Sequence, residues 1–384
     1  MTYSRNALIV VILALMLSAV APAADVMSMN PPWGPSAPNW NSFQTYIVPH
    51  ISGVTFMCGW SQIETQQGVY DFSSCDNKIA NWEGTSLKIG IIFSPISFNS
   101  NTYTPAYVYS SSYAQSLGVP QLDYCVCENN TVGNYPGSGK TPMNSCAHAG
   151  DTTAYPAVWE APFQTPYRKF MVAAVAHYNS VSWKSQIAYI RFGRSTGGEA
   201  SDRCETQLLT LVGGSIATLQ SDWVGNAESN DDLEAGQPHT YPLQNSVGCS
   251  NAGGCSWADE EAANQVGLGM GIGSECVSNK DISLFTEGNP TCGDWANLFD
   301  EYHGQVAVLQ TQTYSQSSPA GKGPTGSLVP LMPFETEHYA NTLELYVQDL
   351  FCAYVPGYHD STGCPSGYAP YQPYQEAIAN AEAQ

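Results

Sequence analysis

The residues with the clearest capacity for chemistry lie in one run. Ile187-Ala188-Tyr189-Ile190-Arg191-Phe192-Gly193 reads as an apolar strand, and it continues through Arg194-Ser195-Thr196-Gly197-Gly198 into Glu199. Two glycines before Glu199 let the backbone turn sharply and leave room for a ligand, which is how a barrel strand presents a working side chain at its C-terminal mouth. A carboxyl held there can give or take a proton. The plain structural alternative is a solvated loop glutamate.

The elements around this strand alternate. Apolar or β-branched runs at Val26 to Asn30, Gly53 to Cys58, Leu87 to Ser94 and Ile187 to Gly193 are separated by helix-like stretches at Trp40 to Val48, Ser74 to Trp82 and Pro166 to Tyr178. Past Glu199 the strand candidates are Gln265 to Gly271, Gln305 to Thr311 and Thr342 to Tyr346, ahead of a C-terminal helix near Tyr374 to Ala383; Ser215 to Gln220 and Leu350 to Val355 fit either type. Such alternation predicts an α/β chain, a (β/α)₈ TIM barrel of seven or eight strands in a single domain over residues 24–384. Two stretches rich in Gly, Ser, Asn, Pro and Cys, about 98–155 and 226–257, read as disulfide-stapled insertions. As both follow strands, they are expected on the C-terminal face.

Arg5, the apolar run from Ala7 to Val20 and the small-residue site Ala21-Pro22-Ala23 read as a signal peptide over residues 1–23. The expected destination is secreted, extracellular or periplasmic, with no membrane association after cleavage. All 12 cysteines lie beyond that leader, and an even count in an exported chain points to bridges such as Cys249–Cys255, Cys276–Cys292 and Cys352–Cys364. A balance of 12 Lys+Arg against 33 Asp+Glu argues against nucleic acid or an anionic membrane as partner. A neutral sugar or polysaccharide is compatible with it.

No metal or cofactor is expected. Cys125-Val126-Cys127 lacks the two-residue spacer of a zinc knuckle, and no His-Glu-x-x-His helix is present. Gly137-Ser138-Gly139-Lys140-Thr141 echoes a phosphate-binding loop, but Asn134 stands where its first glycine belongs. Gly267-Leu268-Gly269-Met270-Gly271 lacks the dinucleotide spacing and reads as close packing inside a barrel.

Gly53-Val54-Thr55-Phe56-Met57-Cys58-Gly59-Trp60-Ser61-Gln62-Ile63-Glu64, followed by Gly68-Val69-Tyr70-Asp71-Phe72, Asp76 and Leu87-Lys88-Ile89-Gly90, resembles the second and third strands of clan A barrel glycoside hydrolases. The likeness is to β-galactosidase-like and cellulase-like members, in which a Trp and an acidic residue precede a Gly-x-Tyr-x-Phe turn. It covers roughly residues 25–200 and implies that Glu199, at the end of the fourth strand, is the general acid/base of a retaining hydrolase of β-linked glycans. Clan members carry Asn before that glutamate, whereas this chain has Gly198. Gly197-Gly198-Glu199 also resembles the Gly-Glu of β-amylases, which implies inversion as the alternative; a carbohydrate-binding barrel without turnover is the other.

Glycosidic cleavage through an oxocarbenium-like transition state needs two carboxyls, one protonated to assist departure and one ionised as nucleophile or base. Burial in an apolar or like-charged mouth would raise the pKa of Glu199 and keep it protonated until needed. The partner must come from the C-terminal third, which offers Glu335, Glu337 and Glu344. With a helix starting at Pro333 and capped at Asn341, Glu335 and Glu337 are helix-end charges, and Thr342-Leu343-Glu344-Leu345-Tyr346 is a strand with Glu344 in its interior. Glu344 is the preferred partner. The rival parse makes Leu328 to Phe334 the seventh strand with Glu335 at its tip, although Pro330 and Pro333 would each delete a ladder donor. Trp60, Arg194 and Tyr314 are candidates to stack on or read a sugar. Each also has a structural reading: Trp60 as core, Arg194 as partner of a carboxylate, Tyr314 as a loop aromatic.

Overall fold

The computed structural model describes residues 23–97, 103–128, 131–133, 154–194, 209, 212–247, 256–277, 282, 295–313, 315, 327–358, 364–365 and 369–383. Eight parallel strands build one sheet: β1 (Asp25–Met29), β2 (Gly53–Gly59), β3 (Lys88–Ser94), β7 (Ile187–Phe192), β8 (Gln244–Ser246), β9 (Gly271–Val277), β10 (Leu309–Thr313) and β11 (Thr342–Tyr346). Their order is β7-β3-β2-β1-β11-β10-β9-β8. The two ends, β7 and β8, meet through a single bridge between Ile190 and Leu243, so the sheet is a nearly closed (β/α)₈ barrel with β7 as its fourth strand.

β2 and β3 read as near-continuous apolar runs because parallel barrel strands are covered on both faces. Helix α5 (Ala161–Ser180) turns Phe163, Tyr167, Phe170, Ala174 and Tyr178 inward at spacings of three and four, and its four rings pack on Trp60, Phe93 and Phe192. Each fully buried ring of this kind contributes about 1.5–3 kcal/mol. The disulfide Cys58–Cys75 ties β2 to the following helix α3 (Ser73–Ile79). Cys352–Cys364 closes as expected; the partners proposed for Cys249 and Cys276 lie outside the described residues. Among the described residues no helix is long and apolar enough to cross a membrane.

Inserted between β3 and α5 are a short helix α4 (Ser111–Leu117) and a small antiparallel sheet of β4 (Tyr124–Glu128), β5 (Thr131–Gly133) and β6 (Ala154–Pro156) in the order β5-β4-β6. The second expected insertion, 226–257, is corrected over 226–247, and residues 248–255 lie outside the described residues. Asn226 onward continues helix α6 (Ile216–Ala235), and Gln244–Ser246 is the fifth barrel strand. Its composition misleads because the inward face of α6 carries Asn226, Asn230, Asp231 and Glu234, all buried, and the strand reads Gln-Asn-Ser.

Gln265 to Gly271 is likewise not a strand. It holds the end of helix α7 (Ser256–Gly267) and a turn through Gly269 at φ +73°, after which β9 begins. Gly271 does carry the close packing expected of that glycine run, since a Cβ there would meet Val308 O at 2.6 Å. Leu328 to Phe334 belongs to a helix, α9 (Leu328–Glu337), following the short helix α8 (Trp295–Tyr302). Ser327 caps α9, its hydroxyl accepting from Val329 N–H. Pro330 falls in the first turn, where an N–H has no partner inside the helix, so only Pro333 interrupts the ladder. Helices α10 (Val347–Tyr354) and α11 (Gln372–Ala383) complete the described chain.

Candidate active site

The barrel interior is polar, and it is organised around Glu344. In β11, Thr342, Glu344 and Tyr346 share one face while the flanking Leu343 and Leu345 take the other. Glu344 is fully buried and accepts hydrogen bonds from Tyr189 Oη and, at 3.0 Å, from Gln310 Nε2. Arg191 Nη2 lies 3.5 Å from its Oε2, an ion pair between two groups with no exposed side-chain surface. Arg191 Nη1 donates to Gln310 Oε1 at 2.8 Å, and Gln244 Nε2 reaches the same oxygen at 3.1 Å. Thus β7 and β11, opposite each other in the barrel, are joined through their side chains. Burial and the adjacent Glu344 charge hold the Tyr189 phenol well above its ordinary value, which keeps it a donor.

One layer nearer the carboxyl ends, Gln312 donates to Tyr346 Oη at 3.0 Å, and Tyr346 is the last residue of β11. The pairing of β9 with β10 shifts register between Thr311 and Thr313.

Glu199 and Tyr314 lie outside the described residues. Glu335 is placed in α9, on the helix side of the barrel wall. It is fully buried and accepts from Thr313 Oγ1 at 2.8 Å, whereas Gln310 and Gln312 of the same strand face the interior. Neither parse of this region anticipated that. Glu335 is neither at a strand tip nor an exposed helix-end charge, and it does not meet Glu344.

Trp60 is corrected from sugar platform to core. Its ring packs on Phe163, Tyr167 and Phe170, and its indole N–H donates to Glu64 Oε2 at 2.6 Å. Glu64 in turn accepts from Gly68 N–H and Tyr107 Oη, both at 2.7 Å, so the Trp60 to Gly68 motif builds a turn. Arg194 is also engaged. Its guanidinium grips both oxygens of Glu261, at 2.9 and 2.6 Å, and lies 5.5 Å from the centroid of Trp223, in keeping with its alternative reading as the partner of a carboxylate. Burial lifts the Glu261 carboxyl above its usual range, with Arg194 opposing the shift.

A second acidic group, missed in the sequence, stands behind β8. Asn245 Nδ2 donates to Asp231 Oδ1 at 2.7 Å and to both oxygens of Glu234 at 3.2 Å. A spacing of three on a helix was the available signal. Burial raises both carboxyls, Asp231 to about 7 and Glu234 well above its ordinary range. A groove of about 720 Å³ lies on the outer helical layer, lined by Tyr70, Arg168, Lys169, Asp232 and Leu233 among others, and belongs to neither group. Among the described residues no cluster of His, Cys, Asp and Glu is suited to hold a metal ion.

No family model matches the sequence, and no curated protein matches it. Among solved structures the chain is similar to a β-galactosidase from the psychrophilic Marinomonas ef1, at 12% identity and a TM-score of 0.49 over 93% of this chain and 59% of that one. It is also similar to the intracellular xylanase TsXylA of Thermoanaerobacterium saccharolyticum, at 10% identity and TM-score 0.40, covering 84% of this chain and 85% of that one. A third is a cold-adapted β-galactosidase from Rahnella sp. R3, at 8% identity and TM-score 0.43, covering 94% and 56%. The chain therefore spans little more than half the length of either β-galactosidase.

Proposed function

We propose that this chain is a glycoside hydrolase that cleaves a β-linked glycan at the C-terminal mouth of its barrel, with retention, using Glu199 as acid/base and Glu344 as nucleophile. One observation carries the reading: Ile187–Phe192 is the fourth of eight parallel barrel strands. The chain that runs on to Glu199 leaves it at the carboxyl end, where the sequence resemblance implies an acid/base. Of the two partner acids, Glu344 is favoured over Glu335 because it shares the barrel interior with β7 side chains. Arg191 and the donors Tyr189 and Gln310 are suited to stabilise an ionised carboxylate there. The leader over residues 1–23 supports export, and the acidic balance supports an uncharged carbohydrate as substrate.

A barrel that binds carbohydrate without turnover is the second reading. It is favoured by the enclosure of Glu344, whose carboxylate is committed to interior donors with no exposed surface. Aryl glycosides and polysaccharides assayed with wild type and Glu199→Gln separate the two. The hydrolase reading expects turnover that the variant loses; glycan binding with no wild-type turnover establishes the binder, and unchanged turnover in the variant removes Glu199 as acid/base.

A further inference from the structure

The barrel is weakest in main-chain pairing where β7 meets β8. Ile190 N–H donates to Pro242 O at 3.1 Å, and the Ile190–Leu243 bridge is the isolated backbone pairing there. The next rung is made by a side chain: Phe192 N–H donates to Asn245 Oδ1 at 2.8 Å. That oxygen faces β7 only because the other end of the amide is claimed by Asp231 and Glu234 on α6. Immediately beyond, Gly193 is held by its N–H to Phe93 O at 2.8 Å and by Tyr167 Oη on its carbonyl, and Arg194 by Glu261.

The electrostatics of this seam do not balance with every acid ionised. Asp231, Glu234 and Glu261 are all buried, and the cation among them, Arg194, is committed in bidentate fashion to Glu261. From α5, Tyr167 faces Glu234 with its phenol raised well above the ordinary value, and Arg168 spends its guanidinium on Asn230 and Ser229. From α7 come Glu261 and the Asn264 amide, with Glu228 and Glu260 adding further negative charge near Glu261. The neutral amides of Asn245 and Asn264 do not offset two buried carboxylates, so both acids hold their protons above the usual carboxylate range.

We propose that Asn245 is a positioning residue for the tip of β7, held in register by the protonated Asp231–Glu234 pair, and that ionisation of the pair releases this seam. Its bearing on catalysis rests on the reading of Glu199 as acid/base, since β7 is the strand that runs on to it. The seam itself does not depend on that reading. Ionisation of the pair is expected to begin near pH 7, where the Asp231 carboxyl changes charge, with Glu234 raised by the same burial.

Amide hydrogen exchange at Phe192, corrected for intrinsic rate and referenced to Ile91 in the middle of β3, tests this in the full chain. Wild type is expected to lose protection at Phe192 by about tenfold or more between about pH 5 and 9, with Ile91 unmoved. The Asp231→Asn/Glu234→Gln variant, which keeps acceptors for Asn245 and discards the titration, is expected to hold its protection over that range. Asn245→Leu is expected to lack protection at Phe192 at both pH values. Wild-type protection that does not change with pH, or a double variant that follows the wild-type curve, overturns the proposal. Because exchange is read without substrate, an inactive protein with this behaviour refutes the catalytic reading alone, and an active one without it refutes the seam alone.

Discussion

Replacing Glu344 by alanine would leave Arg191 as an uncompensated charge inside the barrel. The structure sets the size of the effect. Arg191 and Glu344 have no exposed side-chain surface, and their charged atoms stand 3.5 Å apart. Gln310 and Tyr189 would lose their shared acceptor as well. Breaking one side of a buried pair costs about 3–5 kcal/mol, chiefly from the charge left behind. Spread over an unfolding entropy of about 2.1 cal/mol/K per residue for 384 residues, 4 kcal/mol lowers Tm by about 5 °C. Urea denaturation and calorimetry of Glu344→Ala and of the paired Arg191→Met/Glu344→Leu change separate charge from packing. Discarding both charges together is expected to cost less than Glu344→Ala, because no charge is left behind and only the neutral hydrogen bonds of Tyr189 and Gln310 are lost. If Glu344→Ala costs under about 1 kcal/mol, or the paired change costs as much as the single one, Glu344 is not the counter-charge of Arg191 and its placement in the interior is wrong.

Glu261→Gln removes the counter-charge that both Nη atoms of Arg194 grip, and is expected to destabilise by about 3 kcal/mol or more in the same denaturation assay. Gly273→Ala would drive a Cβ into the Gln244 amide and to 2.7 Å from Gln310 Oε1, with an expected cost of about 1–3 kcal/mol. Gly225→Ala, which meets open space on α6, should instead stabilise by about 0.5–1 kcal/mol. The pH dependence of stability has a definite sign. Asp231 titrates at about 7 when folded against 3.8 when not, so the folded chain binds more protons in between. The stabilisation is fully present below about pH 4 and is lost as pH rises through about 7, by at most about 4 kcal/mol. Asp231→Asn should flatten that part of the stability curve relative to wild type.

Strands whose two faces are both apolar or β-branched were legible in the sequence: β2, β3 and β7, with β11 bounded at Thr342 and Tyr346. β8 and β9 were not, and the strand expected at Gln305 to Thr311 overlaps only the first part of β10. There Gln244, Gln310 and Gln312 occupy positions that apolar residues would mark, and Gly271 and Gly273 make way for them. Polarity imitated a loop over 226–247, since α6 presents amides and acids to β8. Pro330 and Pro333 argued correctly against a strand, but the helix begins before them, at Leu328, because Ser327 supplies its cap. Trp60 and Glu64 stood out as a motif for good reason, and that reason is the turn they build rather than contact with a sugar.

The account is tested most directly by trapping. A 2-deoxy-2-fluoro glycosyl fluoride of the best-accepted sugar slows an oxocarbenium-like transition state while keeping a good leaving group, so a retaining enzyme accumulates its glycosyl ester. Mass spectrometry of the digested chain is expected to find the label on Glu344, with the ester persisting longer in Glu199→Gln, which lacks the base that activates water. Turnover without any label, or a label on Glu335, Glu275 or another acid, would contradict the pairing of Glu199 with Glu344.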